Sequence, residues 1–157
     1  MHPAILDLMQ EKFAASGADA QVSHRMLVLS ISSGAVWDTA LRLKSEFACD
    51  MLLDVTAVDW LGQKLRFEVV YHFYSTVHKI RVRVKTRVNE SDPTVASLIP
   101  LYGSAAFMER ECHDMYGIVF RGNPDLRPIL LYEGFAGHPL RKDYPKMREQ
   151  PLVTYRK

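Results

Sequence analysis

The chain has 157 residues, of which 48% are hydrophobic and 24% are charged, and its formal net charge is +2 at pH 7. This composition is typical of an ordinary soluble globular protein, long enough for one domain and an extension. The small net charge gives no argument for a nucleic-acid partner, and no apolar run approaches the ~20 residues that span a bilayer. The first residues lack the basic start of a secretory signal.

Hydrophobic periodicity predicts three elements in the first third of the chain. Residues 3–16 form a predicted helix with an apolar side. Residues 26–31 are an apolar run of strand length. Residues 35–47 form a second predicted helix, for which Ser33 is the predicted N-cap. Its apolar stripe consists of Val36, Ala40, Leu43 and Phe47.

Strands dominate the middle of the chain. Residues 51–60 form a predicted strand, one side of which carries Leu53, Val55 and Ala57. Residues 65–74 and 79–88 alternate apolar with polar side chains, which predicts two half-buried strands joined in a hairpin. Residues 94–99 form a predicted short helix that ends at Pro100.

The predicted order of elements is helix, strand, helix, three strands, helix and an extended arm. Clustered strands with helices at the ends favour an α+β fold with a mostly antiparallel sheet. We expect the helices to cover one face of that sheet. The domain prediction is an α+β domain over residues 1–120 and an extended, partner-binding C-terminal arm over residues 121–157.

One predicted strand carries five cations on the same side: Lys79, Arg81, Arg83, Lys85 and Arg87. The favoured interpretation is a solvated sheet face, with Glu68 opposite relieving part of the repulsion. An acidic protein partner and a nucleic-acid surface are the two alternatives. No aromatic-interleaved ribonucleoprotein motif supports the nucleic-acid alternative.

Residues 109–145 are the least regular part of the chain. A short helix is predicted to end at Gly117, with an apolar stripe formed by Met108, Cys112, Met115 and Tyr116. Prolines and glycines then interrupt any periodicity. The same stretch is too apolar for a free tail, because disordered segments normally lack large apolar side chains. We therefore expect an arm that lies along this domain or along a partner chain.

The sequence offers little for catalysis or for a metal. Cys112, His113 and Asp114 are consecutive helical residues, so they point about 100° apart and cannot converge on one ion with His138. The remaining cysteine, Cys49, leaves the chain short of the four thiolates of an iron–sulfur cluster. Both cysteines are expected to be free thiols. No nucleophile–base set, phosphate loop or dinucleotide fingerprint is present, so we expect no catalytic, metal or cofactor-binding residues.

The same region carries a family resemblance. Two motifs stand in order, Glu109-Arg110-Glu111 with Asp114-Met115-Tyr116-Gly117, and Gly137-His138-Pro139-Leu140-Arg141-Lys142-Asp143-Tyr144-Pro145, with Pro124-Asp125-Leu126-Arg127 between them. This pattern resembles the C subunit family of the respiratory NADH:quinone oxidoreductase, complex I, which recurs in membrane-bound hydrogenase complexes. Asn123 departs from the His or Lys that the family commonly has there, which removes one possible contact.

The resemblance implies a non-catalytic structural subunit of the peripheral arm of the proton-translocating complex. Such a chain carries no cofactor, docks on the larger D subunit at the quinone site next to B-type neighbours, and supports electron transfer from NADH to quinone at the cytoplasmic face of the bacterial inner membrane. The alternatives are the equivalent subunit of an energy-converting hydrogenase and a nucleic-acid-binding module that uses the basic strand.

Thirteen residues are the predicted partner-binding set: Glu109, Arg110, Glu111, Asp114, Arg127, Phe135, His138, Pro139, Leu140, Arg141, Lys142, Asp143 and Tyr144. Leu140 and Tyr144 are the expected anchors, while Arg141, Lys142 and Asp143 are expected to fix the register. Carboxylates on the helix and cations on the arm also suggest a contact between them. We expect Glu109 or Asp114 to pair with an arginine of the arm or of the partner.

Overall fold

The computed structural model describes residues 3–147. A 3₁₀ turn at Ser33–Ala35 leads into the second of its α-helices. In chain order, the elements of the described part are α1 (Pro3–Ala15), β1 (Asp19–Ser23), β2 (Met26–Ile31), α2 (Val36–Phe47), β3 (Met51–Asp59), β4 (Phe67–Ser75), β5 (Ile80–Val88), β6 (Thr94–Ala96), α3 (Ala105–Tyr116) and β7 (Val119–Arg121).

Five strands form one mixed sheet in the order β1-β2-β5-β4-β3. Neighbouring strands pair antiparallel, except that β2 and β5 run parallel. The parallel pair is possible because α2 and the β3–β4 hairpin lie between β2 and β5 in the chain, which leaves enough residues for a crossover. The predicted α+β fold with a mostly antiparallel sheet is therefore confirmed.

The hydrophobic core lies on one face of this sheet, which we call the inner face. Alternate residues of the central strands point into it, as the period-two pattern predicts. The inner-face side chains of β4 and β5 are Phe67, Val69, Tyr71, Phe73, Ile80, Val82, Val84, Thr86 and Val88. Buried side chains of all three helices join the same cluster, including Met9, Phe13, Ala40, Leu43, Phe47 and Cys112. The helices thus cover one face, as expected.

A bulge changes which residues of β3 face the core. The pairing with β4 shifts between Leu52 and Asp54. Leu52 is therefore buried beside Val55 and Ala57, whereas Leu53 is exposed. The prediction that Leu53 faces the same side as Val55 is wrong, because one extra residue inverts the alternation of a strand.

The predicted helix over residues 94–99 is also wrong. Thr94–Ala96 forms β6, which pairs parallel with β7 in a second, two-stranded sheet. Val95 is buried there, opposite Phe120. Pairing with a strand that is distant in the sequence outweighs the weak helical pattern of so short a segment. Strand β1 was not predicted, because its side chains are mostly exposed and carry no apolar alternation.

The predicted C-terminal ends of α1 and α3 are found, but the predicted N-cap of α2 is not. Helix α1 is followed by Gly17 at a φ of 85°, and Gly117 caps α3 in the left-handed conformation. Ser33, by contrast, lies in the 3₁₀ turn, and the N-cap of α2 is Ala35, which has no side-chain capping bond. The prediction of Ser33 as N-cap is therefore wrong.

Candidate functional site

The arm was predicted over residues 121–157, of which Arg121 lies in β7 and residues 148–157 lie outside the described residues. The described part, residues 122–147, follows β7 and contains no helix or strand. It returns along α3 to the end of the sheet where β3 stops and β4 begins. Polar contacts hold it there at successive points, described below. The candidate functional site is this arm together with the surface that it covers.

Asp114 of α3 holds the first part of the arm. Its Oδ2 atom accepts backbone N–H bonds from Ile129, Leu130 and Leu131 at 2.7, 2.9 and 3.3 Å. Burial alone would raise the pKa of this carboxyl, but the three donors outweigh burial and the pKa lies below its usual range. A charged acceptor for three amides is a strong local clamp.

Glu109 is fully buried one turn and a half earlier on the same helix. Its carboxylate accepts bonds from the Leu98 amide at 2.7 Å, the Ser97 hydroxyl at 2.8 Å and the Asn123 side-chain amide at 2.9 Å. Burial raises the pKa of Glu109, and the three donors only partly oppose that rise. The contact of Asn123 corrects the expectation that this residue removes a contact, since it binds the helix carboxylate directly.

The expected pairing of these carboxylates with an arm arginine is not found within residues 3–147. Glu109 and Asp114 instead bind backbone amides and uncharged side chains of the chain. Arg110 contributes differently, since its guanidinium donates to the carbonyls of Arg127 and Pro128 at 2.9 and 2.8 Å. Backbone groups are the partners because the irregular arm leaves many of its own amides and carbonyls without a ladder.

The end of α3 holds the second part of the arm. His138 Nδ1 donates to the carbonyl of Asp114 at 2.9 Å, and Arg141 Nε donates to the carbonyl of Tyr116 at 2.7 Å. The Leu140 amide donates to the carbonyl of Met115 at 3.1 Å. These contacts satisfy carbonyls that the last turn of a helix leaves without partners.

A buried arginine fastens the end of the arm to the sheet. Arg66, just before β4, forms a two-bond contact with Asp59 at 2.9 and 2.8 Å and another with Asp143 at 2.9 and 2.7 Å. It also donates to Glu90 at 2.6 Å. The backbone N–H of Lys142 donates to Asp59 at 2.8 Å. The guanidinium of Arg66 holds the pKa values of Asp59 and Asp143 below their usual range.

The sequence reasoning missed Asp59, Arg66 and Glu90. One signal could have found the first of them, because Asp59 continues the inner-face phase set by Val55 and Ala57. A carboxylate at a core-facing strand position requires a buried partner. Arg66 and Glu90 are remote from it in sequence, so their meeting depends on the tertiary fold.

The predicted partner-binding residues differ in where their side chains lie. Six of them bind other groups of the chain itself, as described above: Glu109, Arg110, Asp114, His138, Arg141 and Asp143. Phe135 and Tyr144 are half-buried and their rings stack at a centroid distance of 6.1 Å. Glu111, Arg127, Leu140 and the Lys142 side chain are exposed, and Pro139 is half-buried.

Large apolar side chains of the arm nevertheless face solvent. Leu130 is 62% exposed and Leu140 is 52% exposed, although the backbone N–H of each is bonded to α3, to Asp114 Oδ2 and to the Met115 carbonyl. Ile129 and Tyr132 are exposed to a smaller extent. The arm is therefore fixed through its polar groups while it presents apolar side chains outward.

The site offers two imidazoles but no ligand cluster in the described part of the chain. The rings of His113 and His138 meet edge to face at a centroid distance of 6.2 Å, and their Nδ1 atoms bond the carbonyls of Ile118 and Asp114. Within residues 3–147, no group of three His, Cys, Asp or Glu side chains could hold a metal ion. Cys49 and Cys112 are both free and buried, as expected, and burial raises the pKa of Cys49 to about 12.

Comparison with known proteins gives the same family at sequence and structure level. The profile of the family described as respiratory-chain NADH dehydrogenase, 30 Kd subunit, matches residues 29–150. The C subunit of NADH-quinone oxidoreductase from Geobacter metallireducens is 41% identical over 87% of this chain and 85% of its own length.

Two solved structures share the fold. A trypsin-resistant fragment of Nqo5 superposes with a TM-score of 0.71 at 30% identity, over 78% of this chain and 99% of the fragment. A chain of the membrane-bound sulfane sulfur reductase, an archaeal respiratory membrane complex, superposes with a TM-score of 0.77 at 28% identity, over 92% of this chain and 85% of that one. Among the described residues, no helix has the length and apolarity needed to cross a membrane. The chain belongs to the family of the 30 kDa subunit, also called the C subunit, of respiratory-chain NADH dehydrogenase.

Proposed function

We propose that this chain is a non-catalytic structural subunit of the peripheral arm of proton-translocating NADH:quinone oxidoreductase. In this role it docks through its C-terminal arm on the neighbouring D subunit at the quinone site, next to B-type neighbours, at the cytoplasmic face of the bacterial inner membrane. Family membership supports the complex. The observation that supports the docking is an arm fixed by Asp114 and Arg66 whose Leu130 and Leu140 remain exposed.

Pre-organisation is the physical reason for this arrangement. A free apolar segment would lose conformational entropy when it docks, and that loss would weaken the complex. Here the backbone at Ile129–Leu131 and at 138–143 is already held by the α3 carbonyls, Asp114, Asp59 and Arg66. The apolar side chains are thus presented on a fixed backbone, so more of their burial contributes to affinity.

The docking is tested by placing charges on the exposed apolar side chains. We expect a full-length Leu130→Asp/Leu140→Asp double variant, co-expressed with the tagged D subunit, to co-purify about tenfold less than the native chain, a loss of about 1.4 kcal/mol. Both side chains face solvent in the isolated chain, so the fold should be retained. A Leu8→Asp/Leu41→Asp variant is the control, because those leucines are exposed on α1 and α2.

Equal recovery of the D subunit with the native chain and the arm variant would remove the docking proposal. A flavin or iron–sulfur chromophore bound to the purified chain would contradict the non-catalytic part of it. The archaeal sulfane sulfur reductase chain favours a second candidate, the equivalent subunit of another membrane-bound respiratory complex. Identification of the subunits that co-purify from native membranes separates the two, since only one complex contains an NADH-oxidising module.

A further inference from the structure

The face of the five-stranded sheet opposite the core, which we call the outer face, has a two-part surface. Its central residues alternate with the buried inner-face residues of β3, β4, β5 and β2. They are Asp54, Thr56, Val58, Glu68, Val70, His72, Tyr74, Arg81, Arg83, Lys85, Arg87, Val28 and Ser30. Of these, Asp54, Val58, Arg81 and Ser30 are exposed, so the face is open to solvent in the isolated chain.

The cations of β5 are not equivalent. Glu68 lies between Lys85 and Arg87 and pairs with both, at 3.3 and 3.2 Å. Within residues 3–147, Arg81 and Arg83 have no carboxylate partner, and the Nε atom of Arg83 is buried without a hydrogen bond. The prediction that five cations of one strand share a face is wrong for Lys79. This residue lies in the turn before β5, at a φ of 53°.

The surroundings of these two arginines do not neutralise them. His72 stands directly opposite Arg83 on β4, and burial, followed by the charge of Arg83, lowers its pKa, so the imidazole is neutral at pH 7. Asp54 stands beyond His72 on β3, two strands from Arg83. Within residues 3–147, neither Arg81 nor Arg83 forms an ion pair with Asp54. An unpaired guanidinium with a buried donor costs free energy until an acceptor arrives.

The opposite end of the outer face is apolar. Val58, Trp60 and Leu65 are exposed there, and the Arg87 guanidinium lies 5.0 Å from the centre of the Trp60 ring. Arg81 and Arg87 are about 20 Å apart along β5, the length of a long strand or of a helix of three to four turns. The face therefore combines unpaired positive charge at one end with exposed apolar surface at the other.

We propose that the outer face is a second docking surface, separate from the arm, for a segment of another protein that places carboxylates on Arg81 and Arg83 and apolar side chains on Trp60 and Leu65. Charge complementarity favours a protein over a nucleic acid. A nucleic acid needs unpaired cations along the whole length of its backbone, whereas Lys85 and Arg87 already form ion pairs with Glu68. Stacking of bases needs open aromatic faces, whereas Arg87 lies over Trp60.

The test uses the assembled complex that contains the full-length chain. In an Arg81→Lys/Arg83→Lys variant the positive charges remain, and the two primary amines can be joined to adjacent carboxylates by a zero-length carbodiimide reagent. We expect cross-linked peptides between positions 81 or 83 and an Asp or Glu of a different subunit. The absence of such peptides, or cross-links to this chain alone, would overturn the proposal.

A charge-reversal variant supplies the matched measurement. We expect Arg81→Glu/Arg83→Glu to reduce retention of the cross-linked partner about tenfold, with the D subunit still bound through the arm. The control, Lys12→Glu/Arg121→Glu, makes the same change in net charge at exposed positions of α1 and β7. Equal retention in the two variants would refute the surface.

Binding of a single-stranded oligonucleotide, measured by fluorescence anisotropy, distinguishes the nucleic-acid alternative. Affinity that is lost in Arg81→Glu/Arg83→Glu and that falls steeply with salt would replace the protein segment by a nucleic acid. The outcomes do not depend on the Leu130 and Leu140 experiment, because those side chains lie on the arm.

Discussion

At the scale of single residues, Arg66 joins the arm to the sheet. Its side chain is only 3% exposed, and that of its partner Asp59 is 1% exposed, so both charges are buried. Asp143 and Glu90, its other two partners, are about half exposed. The buried Asp59–Arg66 pair therefore affects stability more than the contacts with Asp143 and Glu90, because water screens the exposed carboxylates.

We predict that Arg66→Ala lowers the free energy of unfolding by about 3 kcal/mol, because it leaves the Asp59 carboxylate buried without a counter-charge. Urea denaturation of the purified chain measures the change. Arg127→Ala is the matched control, since Arg127 pairs with Asp125 at the surface and should leave the unfolding midpoint unchanged. Equal shifts in the two variants would show that burial of the Arg66 pair is unimportant.

The same cluster sets a pH dependence with a defined sign. The folded pKa values of Asp59 and Asp143 lie below their usual range because Arg66 is bound to both. The stabilisation is thus fully present above the unfolded pKa of about 3.9 and is lost as the pH falls through the lower folded values. In Arg66→Ala this acid-induced loss should be smaller, which the same urea titrations at pH 3 to 7 would reveal.

At the scale of elements, hydrophobic periodicity predicted the helices and strands that bury one face against the core. The hairpin of β4 and β5 and the buried residues of α2 appear where alternation and helical spacing placed them. The bulge at Leu52 and the strand at Thr94–Ala96 were not predictable from periodicity. The bulge depends on the register between β3 and β4, and β6 depends on pairing with β7, which lies beyond α3.

Helix α3 shows why the candidate site could be located but its contacts could not. The sequence predicted that Glu109 or Asp114 pairs with an arginine, yet both carboxylates are buried and bind uncharged donors of the chain. A carboxylate can face inward when the surrounding chain supplies donors, and those donors come from Leu98, Asn123 and the amides of the arm. No pattern within one helix encodes such partners.

Gly117 links the end of α3 to the arm, and its replacement tests that link. A Cβ atom there would overlap Arg141 Nη2 and lie 2.6 Å from His138 Nε2. We predict that Gly117→Ala displaces both side chains and accelerates hydrogen exchange of the Leu140 and Arg141 amides. Gly134→Ala separates the two causes, because Gly134 has a similar φ of 88° but open space around it.

Each substitution should lower the free energy of unfolding by about 1 kcal/mol, because alanine is disfavoured in the left-handed backbone conformation. Exchange at residues 138–144 should therefore rise only in Gly117→Ala, as measured by mass spectrometry of the peptides that cover this range. If Gly134→Ala produced the same rise, the faster exchange would come from backbone strain and not from lost contacts between the arm and α3.

At the scale of the whole molecule, the arm is bound to the domain through its polar groups, whereas several of its apolar side chains face solvent. Asp114, Asp59 and Arg66 bind its backbone and its Asp143, while Leu130 and Leu140 stay exposed. The hydrophobic core draws its buried residues from Leu6 to Phe120, so the arm adds little to it. If the proposed docking is right, folding depends mainly on the core and assembly depends on the arm.

Truncation after Gly134 tests this separation. The shortened chain retains its core and the Asp59–Arg66 pair, so we predict that it folds, with a free energy of unfolding lower by about 1–3 kcal/mol because the contacts of His138, Leu140, Arg141 and Asp143 are lost. We also predict that it no longer co-purifies with the D subunit, whereas Leu130→Asp/Leu140→Asp loses that partner at native stability. Circular dichroism with urea and the tagged co-purification measure the two effects. Normal recovery of the D subunit with the truncated chain would contradict a docking role for the arm, and an unfolded truncated chain would show that the arm belongs to the folding unit.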